Sequence, residues 1–282
     1  MPVAVVTDST AYLPPGVAEE RGIHVVPLEV RLGDRVGREG LEIGTAELTE
    51  ALAARRLDAQ TSRPSPAEFA ACYERALRAG ADAVVSVHLS RELSGTWEAA
   101  RLAAEQVDPQ RVRVVDSRAA AMGLGFAVLA AADAATAGQS GAAVEYAAAA
   151  VAQRCRVFFS VDSLDRLRRG GRIGAAAALL GAALAVKPLL HIEDGRIVPL
   201  EKVRTTARAA QRIVELAVAA AGEGPADVAV HHLAAAERAD QVAQAIAERT
   251  TTSRLVVSEL GAVIGAHVGL GALGVVVVPK HG

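Results

Sequence analysis

Residues 83–97 read AVVSVHLSRELSGTW, an apolar run followed by hydroxyl side chains and then by a second apolar pattern. The run at 83–87 predicts a buried strand, and the alanines and leucine that follow Trp97 predict a helix. The first backbone N–H groups of a helix have no partner within it, and the helix dipole is positive at that end. Ser94 and Gly95 would lie at this point, so the stretch predicts an anion-binding turn between strand and helix. In the alternative interpretation, Ser94 only caps the helix.

The composition favours two aliphatic cores. A chain of 282 residues is long for one core and suits two domains of ordinary size. Hydrophobic residues make up 51% of the chain and charged residues 22%, so both cores can be filled. Aromatic residues are only 3%, so a binding cavity would be lined by aliphatic side chains, which argues against recognition of bases or sugars.

The net charge limits the kinds of binding partner that we expect, and the cysteine content limits the expected cellular compartment. The net charge is −2 without a long block of one sign, and nucleic-acid binding needs a concentrated basic face, so nucleic acid is not an expected partner. Cys72 and Cys155 have no metal-ligand spacing and are interpreted as reduced thiols. The N-terminus lacks a signal-peptide pattern, and the apolar run at 175–186 is too short for a membrane helix. We therefore expect a cytoplasmic protein without a metal or a cofactor.

Strands and helices alternate along the first half of the chain, which predicts a doubly wound, mostly parallel α/β sheet. The second half has a hairpin signal at 193–195 and the stretch GAVIGAHVGLGALGVVVV at 261–278, interpreted as an irregular loop that enters a last strand. This half predicts a mixed sheet with helices, so we expect α/β domains at 1–155 and 156–282 with a ligand cleft between them. Predicted strands lie at 3–6, 24–30, 83–87, 111–115, 157–161, 186–191, 197–200, 228–232 and 255–259, and predicted helices at 45–57, 65–78, 97–103, 119–137, 140–153, 161–174, 205–221 and 237–249. Thr45 and Asp162 are the expected caps of the helices at 45–57 and 161–174.

Polar residues follow the predicted strands of the first half, at the sheet edge where ligands of α/β proteins bind. Asp8 and Ser9 come directly after the first strand, and Asp116 and Ser117 come after the strand at 111–115. These residues predict a polar rim. The alternative is that their side chains only form the hydrogen bonds of local turns.

The segment QTSRPSPAEF at 60–69 carries a second group of hydroxyl side chains. Ser65, followed by proline and by Glu68 three residues later, predicts a capping box at a helix start. Thr61 and Ser62 are then left without a structural duty, beside a chain that two prolines make rigid. We therefore expect these two hydroxyls to be available to a ligand.

Short segments along nearly the whole chain match motifs of one bacterial family, in the family's order. They are VVTDSTAYLP, TSRPSP, LSGTW, VVDS, FFSVDSLDRLRRGGRIG, AVKPLL, EKVRT and GAVIGAHVGLGALGVVV. Each segment alone is a weak signal, but their number and order are specific. The chain resembles the DegV family of bacterial fatty-acid-binding proteins.

The resemblance implies two α/β domains of the EDD fold, a long-chain fatty acid buried between them, and no chemistry of the protein's own. It implies that the hydroxyls of Thr61 and Ser94 hold the carboxylate, with Ser62 and Gly95 as neighbouring candidates. It also implies a separate fatty acid kinase, which phosphorylates the acyl carboxylate from ATP. Transient contact with a membrane surface is a further expectation for such a carrier.

An ionised carboxylate cannot be buried without hydrogen bonds or a countercharge. Arg172 or His267 would supply the countercharge, and the alternative for Arg172 is an ordinary surface position after the glycine stop. The resemblance suggests Lys202 and Arg204 in EKVRT as a docking patch for the kinase, with solvated surface charge as the alternative. No metal-ligand spacing is evident at His191, His231 or His232.

A function of another class stays open beside the lipid carrier. Ser94 and His267 would be the nucleophile and base of an acyl hydrolase, or the chain would be a phosphotransfer protein on a related scaffold. The sequence has no P-loop and no GxSxG motif, and LSGTW lacks the first glycine of the nucleophile elbow. These features favour the carrier.

Overall fold

The computed structural model of the chain describes residues 2–54, 59–179 and 186–280. The chain forms two compact units: the first contains the chain up to Glu29 and Ser62–Gln153, and the second contains Val30–Thr61 and the chain from Arg154 onward. The strands are β1 (Val3–Asp8), β2 (Ile23–Val26), β3 (Glu29–Leu32), β4 (Arg35–Arg38), β5 (Ala59–Ser62), β6 (Ala83–His88), β7 (Val112–Asp116), β8 (Arg156–Ser160), β9 (Lys187–Glu193), β10 (Arg196–Val203), β11 (Ala226–His232), β12 (Thr252–Glu259) and β13 (Leu273–Pro279). The helices are α1 (Val17–Glu20), α2 (Thr45–Ala53), α3 (Pro66–Arg78), α4 (Thr96–Val107), α5 (Met122–Thr136), α6 (Gly141–Arg154), α7 (Asp165–Arg169), α8 (Thr206–Ala221), α9 (Ala236–Ala247) and α10 (Ala262–Val268).

The first unit is built on a parallel sheet with the strand order β2-β1-β6-β7. The two central strands, β1 and β6, are mostly apolar, as expected for a parallel sheet that is covered on both faces. α3 and α4 pack on the sheet through a core that includes Val6, Phe69 and Ala100, and α5 contacts β1 and β6. The predicted parallel α/β arrangement is confirmed.

The second unit is built on a mixed sheet with the order β10-β9-β8-β13-β11-β12. β11 and β12 are parallel, and the other neighbours in this sheet are antiparallel. α8 and α9 cover the sheet through a core that includes Ile213, Val230 and Ile246. A smaller sheet with the order β4-β3-β5 belongs to the same unit. The predicted mixed sheet and its β9–β10 hairpin are confirmed.

Val30–Thr61 groups with the C-terminal part of the chain, although it lies early in the sequence. Thr45 Oγ1 donates a hydrogen bond to the Leu260 carbonyl over a separation of 215 residues, at 3.0 Å. The Val263 backbone N–H donates to Glu39 Oε1 over 224 residues, at 2.7 Å. The contiguous division expected at residue 155 does not describe this grouping, because contacts over such separations leave no local pattern in the sequence.

The glycine-rich stretch from residue 261 forms α10, so the predicted irregular loop is wrong for its first part. A glycine inside a helix costs about 1 kcal/mol relative to alanine, which tertiary contacts can offset. Glu39 accepts a hydrogen bond from the first turn of α10. A Cβ atom on Gly265 would lie 3.2 Å from Leu233 Cδ2 and closer to Leu48, so this glycine permits α10 to pack tightly.

Predicted helix caps give a mixed result. The capping box of α3 is confirmed, because Ser65 Oγ accepts from the Glu68 N–H at 3.3 Å and Glu68 Oε2 accepts from the Ser65 N–H at 2.8 Å. The predicted caps at Thr45 and Asp162 are wrong. Thr45 donates to a carbonyl outside α2, and Asp162 Oδ1 accepts from Lys187 Nζ at 2.8 Å.

The apolar run at 175–186 is only partly described. Gly174–Leu179 forms a 3-10 helix, and residues 180–185 lie outside the described part of the chain. Among the described residues, no helix is both long and apolar enough to cross a bilayer.

Candidate functional site

Thr61 lies in β5, and its hydroxyl is hydrogen-bonded to an imidazole of the same unit. Thr61 Oγ1 and His267 Nε2, from α10, are 2.8 Å apart. Both residues line a pocket of about 400 Å³. The prediction that Thr61 has no structural partner is therefore wrong. A hydroxyl has one donor hydrogen and two lone pairs, so Thr61 can hold His267 and still bind a ligand atom.

The same pocket is basic. Arg166, Arg169 and Arg172 line it together with Thr61 and His267. Arg172 Nη1 donates a hydrogen bond to the Gly170 carbonyl, within the turn that ends α7. The sequence analysis identifies Arg172 as a candidate but not Arg166 and Arg169. The three-residue spacing of these two arginines places them on one face of a short helix, and this spacing could have indicated them. Three guanidinium groups around two hydrogen-bonding side chains favour an anionic ligand.

His267 is uncharged at neutral pH. Burial, and to a smaller extent the positive charge of Arg172, lowers the pKa of His267 to about 4. Gly170 permits this packing, because a Cβ atom there would lie 2.9 Å from His267 Cε1 and closer still to Nδ1. His267 thus orients Thr61 as a hydrogen-bonding partner, and the countercharge expected from its imidazole is absent at pH 7.

We expect the His267 imidazole to stay neutral on acidification to about pH 5. Its pKa of about 4 in the folded chain lies below the ordinary value of about 6.5 in an unfolded chain. Between these values the unfolded chain binds the extra proton, so His267 lowers the stability progressively as the pH falls from about 6.5 to 4. NMR titration of the imidazole CεH signal, assigned with His267→Asn, measures this pKa. A midpoint near 6.5 would contradict the buried, neutral state.

Ser94 lies in a tight turn of the first unit, just before α4. The Leu93 and Ser94 N–H groups both donate to the Ser90 carbonyl at 3.0 Å. Ser94 Oγ lies 2.9 Å from Thr96 Oγ1 and accepts from the Thr96 N–H at 3.3 Å. The N-cap residue of α4 is Gly95, so Ser94 is not the cap of the alternative interpretation. Its hydroxyl is oriented by Thr96 and retains hydrogen-bonding capacity.

Ser62 follows Thr61 at the end of β5 and is exposed. Ser62 and Ser94 belong to the first unit, whereas Thr61, Arg172 and His267 belong to the second. The described structure thus contains two hydroxyl-bearing candidate sites, one in each unit. Ser94 with Gly95 forms one, and Thr61 with His267 and the arginines forms the other.

Asp8 is wholly buried inside the first unit, so its predicted position on a polar rim is wrong. Its carboxylate accepts hydrogen bonds from the Thr10 N–H at 3.0 Å and the Leu89 N–H at 3.1 Å, and it lies 3.0 Å from His88 Nδ1. His88 Nε2 lies 2.7 Å from Ser86 Oγ. This network ties the end of β1 to the end of β6, where the chain enters the Ser94 turn.

Asp116 and Ser117 of the predicted rim form local turns, in agreement with the alternative interpretation, whereas Ser9 bonds to a distant part of the chain. Asp116 Oδ1 accepts from the Arg118 N–H at 2.9 Å, and Ser117 Oγ accepts from the Ala119 N–H at 3.2 Å. Ser9 Oγ accepts from the Leu28 N–H at 3.1 Å. These contacts shape the loops at the sheet edge.

Lys202 and Arg204 are exposed at the end of β10. This position agrees with both interpretations, a docking patch and ordinary surface charge. Their neighbour Glu201 is bound by Arg212, at 2.7 Å between Nη2 and Oε1. Within the described residues, no group of three or more His, Cys, Asp or Glu side chains could hold a metal ion. His231 is buried and lies 3.0 Å from Ser258 Oγ through its Nδ1.

The chain is thus a protein of two α/β units, with Thr61 in a basic pocket of the second unit and Ser94 in a hydroxyl-bearing turn of the first. The chain belongs to the DegV family, whose family model matches residues 2–280. A DegV domain-containing protein of Streptomyces coelicolor is 55% identical over 279 residues, which cover 98% of each chain. Protein DegV of Bacillus subtilis is 38% identical over 277 residues, again covering 98% of each chain.

Solved structures of the family share this fold over its whole length. A DegV family protein from Thermus thermophilus, described by its fatty acid binding, has a TM-score of 0.93 and 36% identity, with 99% of this chain and 100% of that chain covered. DegV from Bacillus subtilis, described as a fatty acid binding protein, has a TM-score of 0.90 and 37% identity, with the same coverage. These descriptions of solved relatives concern binding and not catalysis.

Proposed function

We propose that this chain binds a long-chain fatty acid, holds its carboxylate through Thr61 and Ser94, and presents that carboxylate to a separate ATP-dependent fatty acid kinase. The observation that carries the proposal is the full-length structural match to relatives described as fatty-acid-binding proteins. The side chains that the resemblance assigns to the carboxylate are, in this chain, hydroxyls oriented by His267 and Thr96.

The acyl chain supplies most of the favourable free energy. A fatty acid of about 16 carbons buries some 15 methylenes, worth on the order of 12 kcal/mol at about 0.8 kcal/mol each, before the costs of association. An interior rich in alanine, valine and leucine suits such a ligand. α5 illustrates this composition, because it is apolar or glycine at nearly every position and almost wholly buried.

The carboxylate imposes the stricter requirement, since a buried charge needs hydrogen bonds. Thr61 Oγ1 can donate to a carboxylate oxygen while it accepts from His267 Nε2, because neutral imidazole offers one N–H donor. Ser94 Oγ can donate in the same way while Thr96 Oγ1 donates to it. Both hydroxyls are thus already oriented, which reduces the entropy lost on binding.

Phosphorylation of the carboxylate adds negative charge to the head group, and nearby cations stabilise the acyl phosphate. Arg172 is suited to this role because it lines the pocket that contains Thr61 and His267. Exposed Lys202 and Arg204 are the residues that we propose for contact with the kinase.

Mass spectrometry of the purified, undigested protein tests the proposed binding. We expect a co-purified, non-covalent mass that denaturation releases as a free fatty acid. A covalent acyl adduct at Ser94 would instead support an acyl hydrolase. A chain that carries no fatty acid and takes up none when delipidated and reloaded would refute the proposal.

Arg172→Ala should reduce turnover by the kinase more than it reduces fatty acid affinity, because the product has more negative charge than the free acid. Kinase rate and dissociation constant are measured on the same variant, with Arg168→Ala as the control. Arg168 lies in α7, the short helix that precedes Arg172, but it is not among the residues that line the pocket. Equal losses in kinase rate and in fatty acid affinity would show that Arg172 contributes only to ground-state binding. No loss in either would show that Arg172 is an ordinary surface charge.

A further inference from the structure

Arg63 packs directly on the turn that carries Ser94. A Cβ atom built on Gly95 would lie 2.9 Å from Arg63 Cδ and closer still to Nη1. The backbone of Gly95 has φ −73° and ψ 9°, which alanine adopts without strain. Glycine at this position therefore leaves the space that the Arg63 side chain occupies, and a methyl group there would displace the flexible end of that side chain.

The positive charge of Arg63 is not neutralised by an ion pair. In the part of the chain that the structure describes, its guanidinium forms no hydrogen bond or salt bridge. Both oxygens of nearby Glu98 are bound by Arg101, at 2.7 and 3.0 Å. This hydrogen bonding is the main cause of the lowered pKa of Glu98, and Arg63 contributes a smaller Coulombic part. Arg63 is thus close enough to this turn to influence charged groups there electrostatically, and the N–H donors of its guanidinium are not used by other described residues.

The turn therefore combines a cation with two hydroxyls. Ser94 Oγ and Thr96 Oγ1 are 2.9 Å apart, and the guanidinium lies against the intervening Gly95. The neutral imidazole of His267 gives a ligand no positive charge. A cation next to the Ser94 hydroxyl supplies it within the first unit.

We propose that Arg63 selects an ionised head group at the Ser94 turn, and that Gly95 provides the space that holds Arg63 there. The inference rests on the proposed function and specifies its head-group chemistry: an anionic acyl ligand is preferred over a neutral one of equal length. Arg63 acts through charge, so its contribution is separate from that of the Ser94 hydroxyl.

Arg63→Gln tests the role of the charge, because the amide keeps a polar side chain of similar reach. Dissociation constants for palmitate and for cetyl alcohol are measured at low and high salt on delipidated protein. We expect about five-fold weaker palmitate binding, the upper range for an exposed charge pair, with unchanged alcohol binding. The salt dependence of palmitate binding should decrease in the variant, because screening acts on the removed charge.

Gly95→Ala tests the geometry, because the added methyl group displaces the arginine without removing its charge. We expect the same loss of preference for the acid as in Arg63→Gln, and no further loss in the double variant. Arg101→Gln is the matched control, since Arg101 is already paired with Glu98 and Glu105. It should leave the ratio of acid to alcohol affinity unchanged.

The outcomes separate this inference from the proposed function. If wild-type protein binds palmitate but Arg63→Gln weakens acid and alcohol equally, or weakens neither, the charge-selection role is refuted and fatty acid binding stands. If the Gly95→Ala loss adds fully to that of Arg63→Gln, Gly95 acts independently of Arg63. If wild-type protein binds neither ligand, the proposed function itself fails, and the role of Arg63 falls with it.

Discussion

Asp8→Ala should destabilise the first unit by about 3–5 kcal/mol, the usual cost of breaking a buried, hydrogen-bonded charged network. Asp8 is fully buried. Its carboxylate accepts hydrogen bonds from the Thr10 and Leu89 N–H groups and lies within hydrogen-bonding distance of the His88 imidazole. Alanine would leave these donors without an acceptor in a site that water does not reach. An unsatisfied buried donor costs about 1–3 kcal/mol, and several are created at once.

Chemical denaturation followed by fluorescence measures this loss. The chain has a single tryptophan, and Trp97 lies in α4 of the first unit, so its emission reports that unit. Asp133→Ala is the matched control, because Asp133 is 48% exposed and pairs with Arg21 at the surface. Exposed pairs contribute about 0–1 kcal/mol. Asp8→Asn should fall between the two, since the amide retains one acceptor oxygen. A loss below 1 kcal/mol for Asp8→Ala would mean that the network contributes little to stability.

The periodic parts of the fold follow from the sequence. The capping box of α3, the β9–β10 hairpin and the apolar strand β6 all depend on neighbouring residues, so local patterns predict them. The assignment of Val30–Thr61 to the second unit could not be predicted in this way. It depends on contacts such as Thr45 with Leu260, whose partners are distant in the sequence.

The sequence predicts which types of residue form the candidate sites, but it does not predict the burial and the contacts of each side chain. Asp8 and Thr61 both follow or belong to strands and carry polar side chains, yet Asp8 is buried in a network and Thr61 faces a pocket. Arg63 was hidden inside the TSRPSP motif because its role depends on the absence of a side chain at Gly95. The charge state of His267 likewise depends on burial that composition does not reveal.

Thr61→Ala and Ser94→Ala should each weaken fatty acid binding by about 1–3 kcal/mol, or roughly 5- to 150-fold, the cost of leaving a buried charged group short of one hydrogen bond. Affinity is measured by calorimetry on delipidated protein, with circular dichroism to verify the fold. Thr61→Ser should retain most of the affinity, because the hydroxyl that bridges His267 and the ligand remains. Ser253→Ala removes an exposed hydroxyl from β12 and should change nothing.

The double variant Thr61→Ala/Ser94→Ala distinguishes two binding modes. If both hydroxyls donate to the same carboxylate, the first loss leaves the second hydrogen bond stronger or weaker, and the two free energies do not add. If only one hydroxyl contacts the ligand, the double variant matches that single variant. Native affinity in both single variants would mean that the carboxylate does not bind at Thr61 and Ser94. The arginines that line the pocket beside Thr61 and His267 would then be the remaining anion site, because their positive charges attract a carboxylate without the help of the Thr61 hydroxyl.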